Sequence, residues 1–265
     1  MDDSPLLSRE GSHAQRRMRR LFTAAFTAQD VAEPLRSFDI DCSAEDIASI
    51  LQSHGLPVAA LRRDRLCAGY AREAQLVRGC AGDVMRPFAS GQLLPGDSPL
   101  SAVIEVLSRY DFCFVTALGD VQGVVTRSDI QKPVVRMWLF GIVTLIEMDL
   151  GARVRRTWPD GAWVRLLSRA RLEKAQALLD ERQRRGQRPE LLDCLQLTDK
   201  ASILMQDGAQ LAAYGFETKG AAQRVVKEME SLRNHLAHAQ DVVTHDWAHI
   251  ARLARQIEET LALTT

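Results

Sequence analysis

An internal repeat constrains the fold of this chain more than any other feature of its sequence. Residues 31–132 contain two copies of one pattern at a spacing of about 55 residues. Each copy predicts a short strand, a helix, two further strands and a second helix. Because a single copy is too small to bury the faces of its own elements, we expect the two copies to pack together as one α+β domain.

Capping and turn residues set the limits of these elements. In the first copy Ser43, with Asp46 three residues later, predicts the start of a helix that runs through Leu51. In the second copy Ser98 precedes Pro99, which predicts a helix starting there and running through Leu107. The remaining predictions are strands over 57–61, 66–70, 112–118 and 121–125, a helix from Arg72, and a helix after Thr126 that ends near Pro133.

From Pro133 onward the strand signals stop and helical periodicity takes over. Glycine and proline residues divide this half of the chain. The predicted helices are at about 134–157, 162–185, 189–206, 218–238 and 244–262. We therefore expect a flexible N-terminal tail (1–30), a repeat domain (31–132) and an all-helical domain (133–265).

Charge and cysteine content bear on partners and location. The 34 basic and 34 acidic residues cancel, which gives no general argument for nucleic acid or membrane as a partner. Residues 153–188 nevertheless hold eleven basic against four acidic residues, which indicates either a site for a polyanion such as RNA or an ordinary solvated helix face.

Five scattered cysteines without paired spacing fit a reducing cytoplasm. The apolar segment 137–148 is too short to span a bilayer, so we expect no membrane insertion.

The end of the second copy carries a recognisable motif. A strand ends in Gly123-Val-Val-Thr126, and Arg-Ser-Asp129-Ile follows. With these residues the tandem resembles a pair of CBS domains, the module that senses adenosyl ligands. The resemblance implies that Thr126 holds a phosphate beside exposed helix N–H groups, and that Asp129 accepts hydrogen bonds from ribose hydroxyls.

The motif at Thr126 has a structural alternative, and the first copy does not repeat it. Thr126 with an acid three residues later is also a plain capping box, so a purely structural role stays open. The first copy has Arg72 and Gln75 near the corresponding positions, which departs from the pattern. We therefore expect at most one good site, for a purine nucleotide and in particular an adenosine nucleotide acting as a regulatory ligand.

The segment 232–238 reads Leu-Arg-Asn-His-Leu-Ala-His and ends an amphipathic helix. Arg233 and His238 point roughly 140° apart on an ideal helix with about 100° per residue. They converge only if the helix frays at His238 or if a second copy of the chain completes the site.

The all-helical half, with its Arg-x4-His spacing near the end, resembles a HEPN domain, and these residues match that family's ribonuclease motif. The resemblance implies a homodimer whose composite site cuts RNA without metal. Arg233 would neutralise the scissile phosphate, Asn234 would orient the reacting groups, and His238 would act as general acid or base. The alternative is that Arg233 and Asn234 end and solvate a helix, with His235 and His238 as surface or interface groups.

One rival motif points to a metallopeptidase. His245-Asp246-Trp-Ala-His249 has the spacing of the HExxH zinc motif, but Asp replaces the Glu that the mechanism needs. We therefore expect no metal site. The favoured function is a nucleotide-regulated, metal-independent endoribonuclease with its site at a dimer interface. The alternative is a catalytically silent nucleotide-sensing dimer that binds RNA or a protein partner.

Overall fold

A computed structural model gives the structure of residues 25–238, 240–242, 247–248, 251 and 254–255. The chain divides into two compact units. The N-terminal unit covers Thr23–Val135, and the helical unit begins at Arg136. Among the described residues, no helix is both long enough and apolar enough to span a membrane.

The N-terminal unit contains two repeats of the same topology. In each repeat the first strand pairs in parallel with the second, and the second pairs antiparallel with the third. The resulting sheets have the orders β2-β3-β4 and β1-β7-β6-β5. The elements are β1 Glu33–Pro34, β2 Ser37–Asp39, α1 Ala44–Ser53, β3 Val58–Arg63, β4 Leu66–Arg72, β5 Leu93–Pro95, α2 Leu100–Arg109, β6 Phe112–Ala117 and β7 Asp120–Thr126.

The hairpins of the two repeats are equivalent position by position. The turn at Leu118 and Gly119 has positive φ at both residues, +54° and +85°, which matches the twist of paired strands. Thr126, the last residue of β7, pairs with Phe112, the first residue of β6. In the first repeat Arg72 pairs with the first residue of β3 in the same way, so Arg72 occupies the position equivalent to Thr126.

The two repeats share an aromatic core. The ring of Tyr70 from the first hairpin lies 5.6 Å from Phe112 and 4.9 Å from Phe114, measured between centroids. All three residues are buried together with Val58 and Val124. The expectation that the two copies pack together as one unit is consistent with this shared cluster, although the first repeat also has a buried core of its own.

The segments that follow β4 and β7 differ from the prediction. The helix expected from Arg72 is wrong, because residues Glu73–Gln75 and Ala81–Val84 form only 3-10 turns. After Thr126, Arg127–Gln131 is also a 3-10 turn. Lys132 has an extended ψ of 143°, since the residue before a proline is kept out of the helical region.

The helical unit follows most of the predicted periodicity. Its helices are α3 Pro133–Thr157, α4 Arg169–Arg184, α5 Leu197–Leu204, α6 Gly208–Ala213 and α7 Lys219–Ala237. The predicted helices 162–185 and 189–206 each begin instead with a separate 3-10 turn, Ala162–Leu166 and Leu191–Cys194. The sequence prediction omits α6, which begins at Gly208 because the Asp207 side chain accepts from the Ala209 backbone N–H and caps the helix there. Most of the predicted helix 244–262 lies outside the described residues.

Candidate functional site

A cleft of about 650 Å³ lies in the N-terminal unit at the ends of β4 and β7. Both repeats line it, with Pro57 and Arg72 from the first repeat and Phe112, Thr126 and Asp129 from the second. This volume is in the range of small-molecule sites. The repeat architecture places the cleft here because equivalent hairpins end side by side.

Thr126 and Asp129 meet within this cleft. Asp129 Oδ2 accepts hydrogen bonds from the Thr126 backbone N–H and from its hydroxyl, both at 2.7 Å. The Thr126 hydroxyl also lies 2.7 Å from Ser128 Oγ. The capping role that the sequence left open is therefore present. The Asp129 side chain is 12% exposed, and its other oxygen, Oδ1, is 3.0 Å from Lys132 Nζ.

Lys132 joins the cleft to the start of the unit. Its ammonium group donates a 2.7 Å hydrogen bond to the Val31 carbonyl and pairs with Glu33 and Asp129. Burial alone would lower the pKa of Lys132, but its hydrogen bonds to Glu33 and Asp129 outweigh burial and raise that pKa above its ordinary value. Lys132 therefore stays charged at neutral pH and remains paired with the Asp129 side chain. No local motif in the sequence predicts this role for Lys132.

Two arginines and one aspartate form a second cluster in the cleft. Arg72 Nη1 is 3.1 Å and Arg127 Nη2 is 3.9 Å from the carboxylate of Asp111. The Arg72 guanidinium carbon lies 5.0 Å from the centroid of the Phe112 ring, a cation–π distance. Arg72 departs from the Thr126-x-x-Asp129 motif of the second repeat, but it lies in the same cleft as Thr126. The equivalence of the two hairpins was the signal that could have found it.

The residues of the ribonuclease-like motif lie at the end of α7. Arg233 is half-buried, whereas Asn234 and His238 are exposed. The helix ends at Ala237, and the His238 backbone N–H donates to the Asn234 carbonyl at 3.0 Å. Within the described part of the chain, the side chains of Arg233 and His238 form no hydrogen bond or ion pair with one another.

Arg136 fixes the end of this helix. Its guanidinium donates to the carbonyls of His235 at 3.0 Å, Leu236 at 3.3 Å and Gln240 at 2.8 Å. Carbonyls at a helix C-terminus lack partners within the helix and carry the negative end of its dipole. A cation at this position therefore stabilises the segment that carries Asn234 and His238.

The basic stretch 153–188 is partly neutralised in the folded chain. Some acidic partners lie one helical turn away on the same helix. The others lie in the segment 190–199, which follows the basic stretch and is not part of it. Because these acidic partners neutralise part of its charge, the stretch should bind a polyanion more weakly than its composition indicates. The ion pairs are Arg153–Asp149, Arg155–Glu190, Arg155–Asp193, Arg169–Glu173, Arg171–Asp199 and Arg185–Glu181.

The histidine motif that suggested a metallopeptidase cannot be placed. His245, Asp246 and His249 lie outside the described residues. Where side chains are described, no group of three or more His, Cys, Asp or Glu residues could hold a metal ion.

Comparisons with known proteins give similarity to CBS-domain structures over about half of the chain. No family model and no curated protein matches. The hemolysin-like CBS-domain protein of Oenococcus oeni is 18% identical, with 44% of this chain and 96% of that chain covered and a TM-score of 0.36. The CBS domain of a bacterial CNNM/CorC family Mg²⁺ transporter, solved with ATP, is 13% identical, with coverages of 47% and 97% and a TM-score of 0.37.

A third similar structure is the CBS-pair protein CBSX2 of Arabidopsis thaliana, at 16% identity, with coverages of 42% and 96% and a TM-score of 0.36. A structure of CBSX2 in complex with AMP is 17% identical, with coverages of 42% and 98% and a TM-score of 0.37.

Proposed function

We propose that the N-terminal unit is a CBS-type pair that binds an adenine nucleotide in the cleft at the ends of β4 and β7. The observation that carries this proposal is the grouping of Thr126, Ser128 and Asp129 with two guanidinium groups in one cleft of about 650 Å³. Hydroxyls and guanidinium groups suit a phosphate, and a carboxylate suits vicinal ribose hydroxyls.

Each part of a nucleotide has a complementary part of the cleft. Leu56, Pro57 and Phe112 provide an apolar wall for a purine ring. Asp129 is held rigidly by Thr126 and Lys132, so its carboxylate is positioned to accept from ribose before a ligand arrives. The phosphate is then directed to the end of the cleft that holds Thr126, Arg72 and Arg127.

Calorimetric titration of the full chain with adenosine, AMP, ADP and ATP tests this function. We expect micromolar to millimolar affinity, and a loss of about tenfold or more in Asp129→Asn, because the charged hydrogen bonds to ribose are weakened. Asp83→Asn is the matched control. Asp83 accepts from the backbone N–H of Cys80 at 3.2 Å, so it closes a 3-10 turn in the same unit outside the cleft.

Two results would contradict the proposed site. If none of the four compounds binds the wild-type protein, the cleft does not serve a nucleotide. If Asp129→Asn binds as well as the wild type does, the Asp129 carboxylate acts only as a helix cap.

A second function, for the helical unit, is a HEPN-like endoribonuclease that works without metal at a homodimer interface. It rests on the Arg233-Asn234…His238 pattern at the end of α7, where Arg136 donates to the carbonyls of His235 and Leu236 and so fixes the backbone between these residues. In this proposal Arg233 neutralises the scissile phosphate and Asn234 orients the imidazole or the phosphate. His238 takes a proton from the ribose 2′-hydroxyl as a base, or gives one to the leaving oxygen as an acid. The nucleotide in the cleft would regulate this cleavage.

The nuclease test is incubation of the purified protein with RNA in EDTA, with and without adenine nucleotides. We expect products that end in a 2′,3′-cyclic phosphate, because attack by the ribose hydroxyl needs only an acid, a base and a cation. If the protein leaves varied RNAs intact under all of these conditions, the alternative function is favoured. In that alternative the protein is a catalytically silent nucleotide-sensing dimer that binds RNA or a protein partner.

A further inference from the structure

The phosphate end of the cleft has an unusual charge arrangement. Two guanidinium groups, those of Arg72 and Arg127, approach one carboxylate, that of Asp111, at 3.1 Å and 3.9 Å. One of these arginines comes from each repeat. A single carboxylate leaves this pair of cations only half neutralised.

The Asp111 side chain is able to leave without any movement of the backbone. It is 58% exposed, compared with 37% for Arg72 and 48% for Arg127. The Asp111 carbonyl accepts a hydrogen bond from the Arg127 backbone N–H at 3.3 Å, and the next residue, Phe112, begins β6. Rotation of the carboxylate into solvent therefore costs little and keeps the cleft intact.

The two guanidinium groups have supports that do not depend on Asp111. Arg72 stacks over the Phe112 ring at 5.0 Å, and Arg127 Nε donates to the Leu107 carbonyl at 3.2 Å. Loss of the carboxylate would therefore leave both cations in the cleft. Exposed ion pairs alone would not hold two long side chains in this way.

Arg72 also has an unsatisfied donor. Its Nε is buried, and no hydrogen-bond partner for it is found among the described residues. Buried N–H groups nearly always have a partner in native proteins, so an orphaned one marks a place where an acceptor is missing. A phosphate has three terminal oxygens and can accept from a guanidinium in a bidentate manner.

We infer that Asp111 is a resident counterion for the phosphate end of the cleft, and that a dianionic ligand phosphate replaces its carboxylate on Arg72 and Arg127. The inference rests on the proposed nucleotide function and adds a specificity-determining residue to it. A neutral nucleoside cannot displace the carboxylate, whereas a dianionic phosphate neutralises both arginines. Asp111 thus sets how strongly the cleft prefers phosphorylated ligands over nucleosides.

The test compares the affinities of adenosine and AMP for the wild-type chain and two variants by calorimetry at low salt. In Asp111→Asn we expect the preference for AMP over adenosine to rise about fivefold to tenfold, since a competing and repelling charge is removed. Asp39→Asn is the matched control, because Asp39 is similarly exposed at 64% and pairs with Arg62 at 3.2 Å outside the cleft. This variant should keep the wild-type preference.

A third variant, Arg72→Gln, removes one of the two cations. It should lower the affinity for AMP more than the affinity for adenosine, so the preference for AMP should fall. An unchanged preference in Asp111→Asn, or an equal rise in Asp39→Asn, overturns the counterion role and leaves nucleotide binding standing. If neither adenosine nor AMP binds any of these proteins, the proposed function fails and the counterion role fails with it.

Discussion

At the scale of single residues, Asp129 both closes a turn and, in the proposed function, binds ribose. A substitution of Asp129 therefore changes stability and ligand binding together. Its Oδ2 closes the turn at Thr126, and its Oδ1 faces Lys132. Loss of an N-terminal cap costs about 1 kcal/mol of stability, whether or not a nucleotide binds. The Asp83→Asn control separates these effects, because it makes the same change in a side chain that closes a 3-10 turn of the same unit and leaves the cleft unchanged.

The ribonuclease motif gives a prediction for Arg233 and His238. Replacing either residue with Ala should lower RNA cleavage about a hundredfold or more, because a positioned acid–base group contributes roughly 10²–10⁴-fold. His235→Ala should matter less. The melting temperature should stay close to that of the wild type, since His238 is exposed and Arg233 is half-buried at the helix surface. Cleavage that persists in the double variant would assign the activity elsewhere.

Cys113 gives a prediction for alkaline pH. Burial, with a smaller effect from the Asp129 charge, raises the pKa of its thiol from 9.0 to about 12. Between these values the unfolded thiol loses its proton while the folded thiol keeps it, so rising pH favours the unfolded chain. The contribution of Cys113 to the free energy of unfolding should therefore fall by about 1.4 kcal/mol per pH unit above pH 9.

Urea titrations from pH 8 to 11 measure this slope. Cys113→Ala should make the measured slope less steep by about this amount, whereas Cys80→Ala should leave it unchanged, because Cys80 is exposed. A slope that is the same in all three proteins would assign the alkaline sensitivity to other groups.

At the scale of elements, the end of α7 depends on a cation from α3. Arg136→Gln removes donors from the carbonyls of His235, Leu236 and Gln240, and should lower the unfolding free energy of the helical unit by about 1–3 kcal/mol. Hydrogen exchange should also become faster at the backbone amides of residues 235–238. Arg169→Gln is the control, because Arg169 is 92% exposed in a pair with Glu173 and should change stability by less than about 0.5 kcal/mol. Equal effects of the two substitutions would show that the cap is unimportant.

At the scale of the whole molecule, the two compact units give a prediction about ligand stabilisation. A nucleotide at a hundred times its dissociation constant stabilises the unit that binds it by about 2.7 kcal/mol. In hydrogen exchange, protection should rise in β4 and β7 of the N-terminal unit. Regulation of the helical unit further requires a change of protection in α7. Protection confined to the N-terminal unit would identify a sensor without this coupling.

The proposed composite nuclease site gives a second whole-molecule prediction. In the composite site that we propose, Arg233 of one copy and His238 of another act together, so the active form contains two copies of the chain. Light scattering at micromolar concentration should therefore give the mass of a dimer. A monomer that still cleaves RNA would contradict the composite site, and an inactive dimer would favour the silent alternative.

The sequence by itself determined the elements whose signals are local. Ser43 accepts from the Asp46 backbone N–H at 3.2 Å and caps α1 as its spacing predicts, and α3 and α7 begin and end within a residue or two of the predicted limits. The period of the repeat likewise predicted that two copies share one α+β unit. These features follow from interactions between residues a few positions apart, so a short window of sequence contains the information.

Only the tertiary structure decided which distant side chains meet. Arg72 meets Asp111 from 39 positions away, and Arg136 caps carbonyls about 100 positions away. The 3-10 turns after β4 and β7, predicted as helices, likewise depend on the neighbouring strand ends and on Pro133. Such contacts are set by strand order and hairpin register, which bring remote segments together. A periodicity or a local charge count reports only on near neighbours along the chain, and therefore carries no information about these contacts.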